Sequence, residues 1–462
     1  MTMIPSDVSA MSEALHARRI GAADLIEMFL DRISALDGEL GAFAAIIPDE
    51  ARAAARRADS ALADGHWRGP LHGIPFGVKD LIATADLPTE VGMPILRGRQ
   101  TGYDATSVAR LRDAGAILIG KLNQTEGTFG GYHPGAVLPI NPWNPALWPG
   151  ASSSGPAVAI AARLCPIALA SDTGGSIRAP AAACGITGLM PSQGRVSRYG
   201  AFPLAPTLDR IGPFATSALD CAHVLKAIAG SDPADPATLH EAVPDYAAQL
   251  GSGLRGLRLG FDEDILNDSD PDIGNAIEDG LAWFDRAGIR IVPCKMPEAR
   301  SALEGWVDIV ATGAADAHRD FYRGNEARYG KELAELVELG MATTGTAMSR
   351  AISRQLELTS EMTNLHRDFD AMLVPVSLRQ TPTVKAFAER PDIRQSYPAG
   401  GQFTGIYSLT GQPTITFPAG FTAAGAPIGL QLAGTHFAEQ TLLHLVHRFQ
   451  QATDWHLRVP PL

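Results

Sequence analysis

Gly150-Ala151-Ser152-Ser153-Ser154-Gly155-Pro156 is followed by a run of small residues and then by Ser171-Asp172-Thr173-Gly174-Gly175-Ser176-Ile177-Arg178. Two serine clusters therefore stand a fixed distance apart, with Ser152 and Ser176 separated by 24 residues. Pro166 to Ala170 reads as a buried strand, Asp172-Thr173-Gly174-Gly175 as a tight loop, and Ser176 as the residue that opens an Ala-rich helix. Consecutive glycines let a backbone fold sharply and expose N–H groups, and a helix N-terminus favours negative charge. Such a turn serves equally as an anion nest or as a catalytic loop that presents a nucleophile. In the first cluster, Pro156 suits an early helical position, with the serines as caps and Ala157 to Arg163 as the helix. A cap accounts for one serine rather than three.

Upstream, the apolar segment Leu71-His72-Gly73-Ile74-Pro75-Phe76-Gly77-Val78 reads as a buried strand or turn that Lys79 closes. A surface lysine paired with Asp80 is the ordinary reading. The apolar neighbours Ile74, Phe76 and Val78 favour another, because a lysine that serves as a base must have its pKa lowered by about 3 units through burial. Lys79, Ser152 and Ser176 then suggest a serine hydrolase that works without histidine.

The rest of the chain is organised around this region. Residues 1–65 carry helical periodicity, with Leu25, Ile26, Phe29, Leu30 and Ile33 on one stripe and an Ala/Arg-rich stretch from Glu50 to Ala63, which predicts two helices. From 69 to 230, short apolar runs such as Ala116 to Ile119 alternate with Gly, Pro, Asn and Ser clusters, as buried strands joined by loops do. Residues 231–370 are more helical and charged, with strand candidates at Leu257 to Phe261 and Ile289 to Pro293. They read as a peripheral part over one face. Apolar strands return at Ala371 to Val374, Thr414 to Phe417 and Ile428 to Leu432, and an amphipathic helix follows near Glu439 to Gln451. Strands from both halves complete one sheet, so a single domain over 1–462 is expected, closed by 371–462.

Composition excludes several classes. Of 462 residues, 45% are apolar and 19% charged, which fits a globular chain rather than a disordered one. A net charge of −12 without a basic run disfavours a nucleic-acid or anionic-membrane surface. The four cysteines are widely spaced with no Cys-x-x-Cys pair, so neither a disulfide framework nor a zinc site is implied. Absence of a leader pattern or a long apolar span favours a cytoplasmic protein. Gly115 to Lys121 imitates a phosphate loop, yet Leu122 stands where Ser or Thr should meet magnesium, so a strand and turn is preferred. No Gly-x-Ser-x-Gly elbow is present. His444 and His447 read as solvated helix residues, and Tyr132-His133-Pro134 as a pocket rim or a plain surface segment. No metal and no cofactor are expected.

With these motifs in hand, the chain resembles the amidase signature family. The resemblance spans Gly150 to Arg178, Gly73 to Asp80, Gly185 to Leu189, Gly194 to Ser197, Leu208 to Pro213, Gly411 to Pro413 and Gly429 to Gln431, and it is weakest between 231 and 365. Ala151, Pro156 and Ser408 depart from the family's usual residues there. It implies an α/β fold, a single large domain with a central mixed, mostly parallel twisted sheet covered by helices on both faces. By matching position it implies Ser176 as nucleophile, Ser152 as a middle serine with a cis peptide, and Lys79 as base. Backbone N–H groups of Thr173, Gly174, Gly175 and Ser176 would form the oxyanion hole, and Thr128 in Gly127-Thr128-Phe129 would face the acyl group beside a thin wall at Gly130 and Gly131.

The implied activity is hydrolysis of a small or aryl carboxamide through an acyl-enzyme, without a cofactor and with a homodimer as the implied assembly. The same acyl chemistry would serve carbamate, urea-derived or hydrazide substrates. The alternative is the glutaminase subunit of a transfer-RNA amidotransferase, though the run Gly127 to His133 lacks the Ser/Thr-rich sequence usual there. A non-catalytic binding protein on the same scaffold is the third reading.

Overall fold

The computed structural model describes residues 7–248 and 250–462. Residues 1–6, part of the helical region expected over 1–65, lie outside the described residues. Eleven strands form one sheet: β1 (Phe43–Ile46), β2 (Pro75–Lys79), β3 (Ile117–Leu122), β4 (Ile167–Asp172), β5 (Thr187–Met190), β6 (Arg210–Ala215), β7 (Arg258–Phe261), β8 (Arg290–Pro293), β9 (Ala371–Pro375), β10 (Thr414–Phe421) and β11 (Pro427–Ala433). Their spatial order is β1-β3-β2-β4-β6-β5-β10-β11-β9-β7-β8. Every position of β3, β4 and β6 is buried. Such strands need cover on both faces, which is why they read as unbroken apolar and small-residue runs rather than as alternating ones.

The sheet is mixed, as expected, but it is not mostly parallel. β2 runs parallel to β3 and β4, and β7 runs parallel to β8 and β9. The other six pairings are antiparallel. The physical reason lies in the connections. Only five residues separate β10 from β11, and a parallel return needs a crossover of a dozen residues or more. β5 and β6, joined over residues 191–209 without a helix, also lie antiparallel.

At the N-terminal end, the apolar stripe folds as helix Ala22–Leu40 and buries Leu25, Ile26, Phe29, Leu30 and Ile33. The Ala/Arg-rich stretch folds as helix Pro48–Ala63. Two further elements go beyond the expectation for this region: a short helix Val8–His16 and the edge strand β1. β1 pairs with β3 over only three residue pairs and alternates between part-buried and exposed positions, too weak a pattern to announce a strand. The segment 231–370 does more than cover one face, because β7 and β8 form the far edge of the sheet. Helices Arg300–Ala317, Lys331–Ala342 and Gly345–Leu365 follow, and the latter two pack on the first.

Candidate active site

The site is assembled where β2 and β4 end. Lys79 is the last residue of β2 and is fully buried. Side chains alternate along a strand, so Phe76 and Val78 point to the face opposite Lys79. Burial of the whole strand, rather than those neighbours alone, desolvates the amine. Its pKa is held well below the ordinary 10.5 by that burial, against the pull of the Asp172 and Asp209 charges. Asp80 is not its partner, since that carboxylate lies 3.7 Å from Lys121 Nζ. Lys121 is itself a buried strand residue whose pKa burial lowers to about 8, so the segment that imitates a phosphate loop is a sheet strand.

Lys79 Nζ contacts Ser152 Oγ at 2.6 Å and Ser171 Oγ at 2.9 Å. The Ala151–Ser152 peptide is cis. The three serines do not act as helix caps. Helix Ser154–Ala161 begins at Ser154, and its N-cap Ser153 makes no side-chain capping bond. Ser153 Oγ donates instead to Ser171 O at 3.1 Å, and Ser154 Oγ meets the Tyr132 hydroxyl. Each serine of the cluster therefore has a separate task. Gly155 allows the helix to start so close to its neighbours, because a Cβ there would lie 2.4 Å from Asn123 O.

After β4, Ser176 sits half-buried two residues ahead of helix Arg178–Cys184, so it precedes the helix and does not open it. Asp172 organises the turn. Its carboxylate accepts from Gly175 N and Ile177 N, each at 2.8 Å, and pairs with the fully buried Arg178 at 2.7 Å. These partners hold its pKa below the usual carboxylate value despite burial, which alone would raise it. Arg178 reaches onward to Thr404 O and Ser408 Oγ, so the serine at 408 is a working hydrogen-bond partner. The N–H of Gly175 is thus already taken. Among the described residues, those of Thr173, Gly174 and Ser176 have no protein acceptor.

The carbonyls of the same turn are held from outside. Gly174 O accepts from the Tyr397 hydroxyl at 2.8 Å and from Thr404 Oγ1 at 2.9 Å. Thr173 O accepts from Trp306 Nε1 at 3.1 Å, and the Trp306 and Tyr397 rings stack 3.6 Å apart. Thr173 Oγ1 donates to Asp209 at 2.6 Å. None of Ser171, Asp209, Trp306, Tyr397 or Thr404 stands out in the sequence as a site residue. Ser171 and Asp209 lie inside the motifs at 171–178 and 208–213 but carry no local sign of their contacts, whereas Trp306, Tyr397 and Thr404 come from distant segments.

Ser152, Ser176, Thr173, Gly174, Gly175 and Thr128 all line one cavity of about 380 Å³. Lys79 lies behind this surface. A smaller cavity of about 190 Å³ lies on the other side of Thr128, Thr173 and Leu204 and includes Ser171 in its wall. Tyr132 lines neither, and His444 is buried against Ser252 O rather than solvated. Among the described residues no group of His, Cys, Asp and Glu is disposed to hold a metal ion. No described helix is long and apolar enough to cross a membrane.

This geometry defines a class. The amidase family model matches residues 24–443, and the chain belongs to that family of amide-cleaving enzymes. It is 40% identical over 461 residues to AmiD of Mycobacterium tuberculosis, a protein named as an amidase, covering 99% of this chain and 96% of that one. It is 34% identical over 490 residues to the glutamyl-tRNA(Gln) amidotransferase A-subunit of Geobacter sp. strain M21, with full coverage of both. Among solved structures, the peptide amidase of Stenotrophomonas maltophilia superimposes with a TM-score of 0.85 at 32% identity, covering 99% of this chain and 98% of that one.

Proposed function

We propose that this protein hydrolyses a small or aryl carboxamide to a carboxylate and ammonia or an amine, with Ser176 as nucleophile, Ser152 as proton relay and Lys79 as base. The observation that carries the reading is the 2.6 Å contact between a fully buried lysine and a serine that shares a cavity wall with Ser176. Burial keeps the Lys79 amine neutral at a pH where an exposed lysine is charged. It takes the proton of Ser152 while Ser152 takes that of Ser176, whose Oγ attacks the amide carbon. The oxyanion of the tetrahedral adduct is received by the unpartnered N–H groups of the Thr173–Ser176 turn. Donors of this kind contribute about 3–4 kcal/mol each. As the C–N bond breaks, Ser152 protonates the departing nitrogen and recovers the proton held by Lys79. Water then attacks the acyl-enzyme by the same relay and releases the acid. No step requires a cofactor.

The test is intact mass with peptide mapping after exposure to a fluorophosphonate. Labelling of Ser176 in the wild type and its loss in Lys79→Ala are expected; labelling that ignores Lys79 would overturn the relay. Similarity to the amidotransferase protein favours a second reading, a glutaminase that supplies ammonia to a partner. Its distinguishing result would be a stable heteromeric complex on native purification.

A further inference from the structure

The cavity that holds Ser176 has an unusual charge balance. Its described lining contains no Asp, Glu, Lys or His, and its only charged side chains are Arg379 and Arg390. Neither guanidinium is uncompensated. Arg379 Nη1 donates to Asp270 at 3.1 Å and to Asp268 O at 2.8 Å, and Arg390 Nη2 donates to Glu332. Both carboxylates lie outside the lining. An ammonium group entering this cavity would shed water and meet no anion, which is a costly exchange. An anionic group would find cations that are already paired.

What the walls offer instead is aromatic surface. Trp148 and Phe387 stack with centroids 4.2 Å apart and planes 19° apart, and the Arg390 guanidinium lies 3.7 Å from the Phe387 centroid. The glycine pair at 130 and 131 makes this ladder fit. A Cβ on Gly130 would stand 2.3 Å from the Glu332 carboxylate, and one on Gly131 would stand 2.9 Å from it. Side chains there would push Glu332 off Arg390, and with it the cation that caps Phe387. The Trp306–Tyr397 stack forms a second aromatic patch beside the nucleophile turn.

We infer that the cavity selects uncharged amides that carry a flat aromatic group, docked against the cavity-facing edges of the stacked Trp148 and Phe387 rings, and that it rejects amides with an ammonium group, glutamine included. The inference rests on the amidase reading of the same cavity and narrows its substrate class. Phe387 and Trp148 are its specificity residues, and Glu332 acts through Arg390 as a positioning residue.

The rate at which a fluorophosphonate labels Ser176 in the full-length protein reads occupancy of the cavity without requiring turnover. Benzamide, cyclohexanecarboxamide, acetamide and glutamine serve as competitors. Benzamide should protect at concentrations about 2- to 10-fold lower than its saturated counterpart, the range expected of an aromatic contact. Glutamine should not protect. In Phe387→Ala the benzamide protection constant should rise by a similar factor while that of acetamide stays the same. In Glu332→Gln the freed Arg390 should improve protection by 3-carboxybenzamide about twofold to fivefold. Protection by glutamine, a benzamide no better than cyclohexanecarboxamide, or a Phe387→Ala effect equal for benzamide and acetamide would overturn the inference and leave the amidase reading intact. Absence of Lys79-dependent labelling would overturn that reading and the inference with it.

Discussion

In the proposed relay, burial gives Lys79 a chemistry that its free form lacks. At neutral pH a solvated lysine carries a proton and accepts none, whereas burial at the end of β2 removes the solvation that stabilises the charge. The sign follows directly. Acylation needs the neutral amine, so its rate should rise with pH through a single titration and level off well below 10.5, as pre-steady-state acylation measurements would register. A rise that continues to pH 10.5 would place the base outside this buried site. Tyr397 gives a second expectation at this scale. Its hydroxyl shares Gly174 O with Thr404, so Tyr397→Phe removes one of the two side-chain donors to that carbonyl. A neutral hydrogen bond is worth about 1 kcal/mol, so kcat should fall about fivefold with KM nearly unchanged. An equal change in both parameters would show that Tyr397 binds substrate rather than holding the turn. Lys79 is a candidate in the sequence because it closes an apolar segment, and Ser152 and Ser176 because each sits in a motif of glycines and small residues; the structure brings Lys79 to Ser152 and puts both serines on one cavity wall. Ser171 lies inside one of those motifs yet gives no local sign of its role, since its contact with Lys79 depends on how two strands align. Tyr397, Trp306 and Thr404 carry no local signature at all.

Elements are legible where composition and period agree, as in helix Ala22–Leu40 or the buried strands β3 and β4. The direction in which strands pair is another matter. The apolar runs of parallel and antiparallel strands look alike once both faces are covered, and among the antiparallel pairings the short link between β10 and β11 is one that the spacing dictates. The helix Ser154–Ala161 illustrates a constraint that the sequence states without explaining. A Cβ on its second residue, Gly155, would press on the backbone oxygens of Asn123 and Ala42, so Gly155→Ala must displace backbone rather than a flexible side chain. Overpacking of this kind costs about 1–3 kcal/mol. A lowered denaturation midpoint with an unchanged m-value would be the signature, together with reduced fluorophosphonate labelling, because the same helix start carries the serine cluster. A Gly155→Ala protein as stable as the wild type would show that the loop at Asn123 can yield.

At the scale of the whole molecule, the sheet is drawn from both ends of the chain. β5 pairs with β10, and β9, β7 and β8 extend the same sheet beyond β11. The expectation over 1–462 is therefore a single cooperative unit, and calorimetry should record one unfolding transition whose van't Hoff and calorimetric enthalpies agree. Two resolved transitions would identify the 231–370 part as separately stable. The far-reaching contacts of Arg178 carry a consequence for synthesis. Its bond to Thr404 O spans 226 residues, which at about 5–20 residues per second a ribosome takes on the order of 10–50 s to add. Throughout that interval the serines are already synthesised while Arg178 still lacks its distant partner, so the turn that follows β4 is finished only when translation is nearly done.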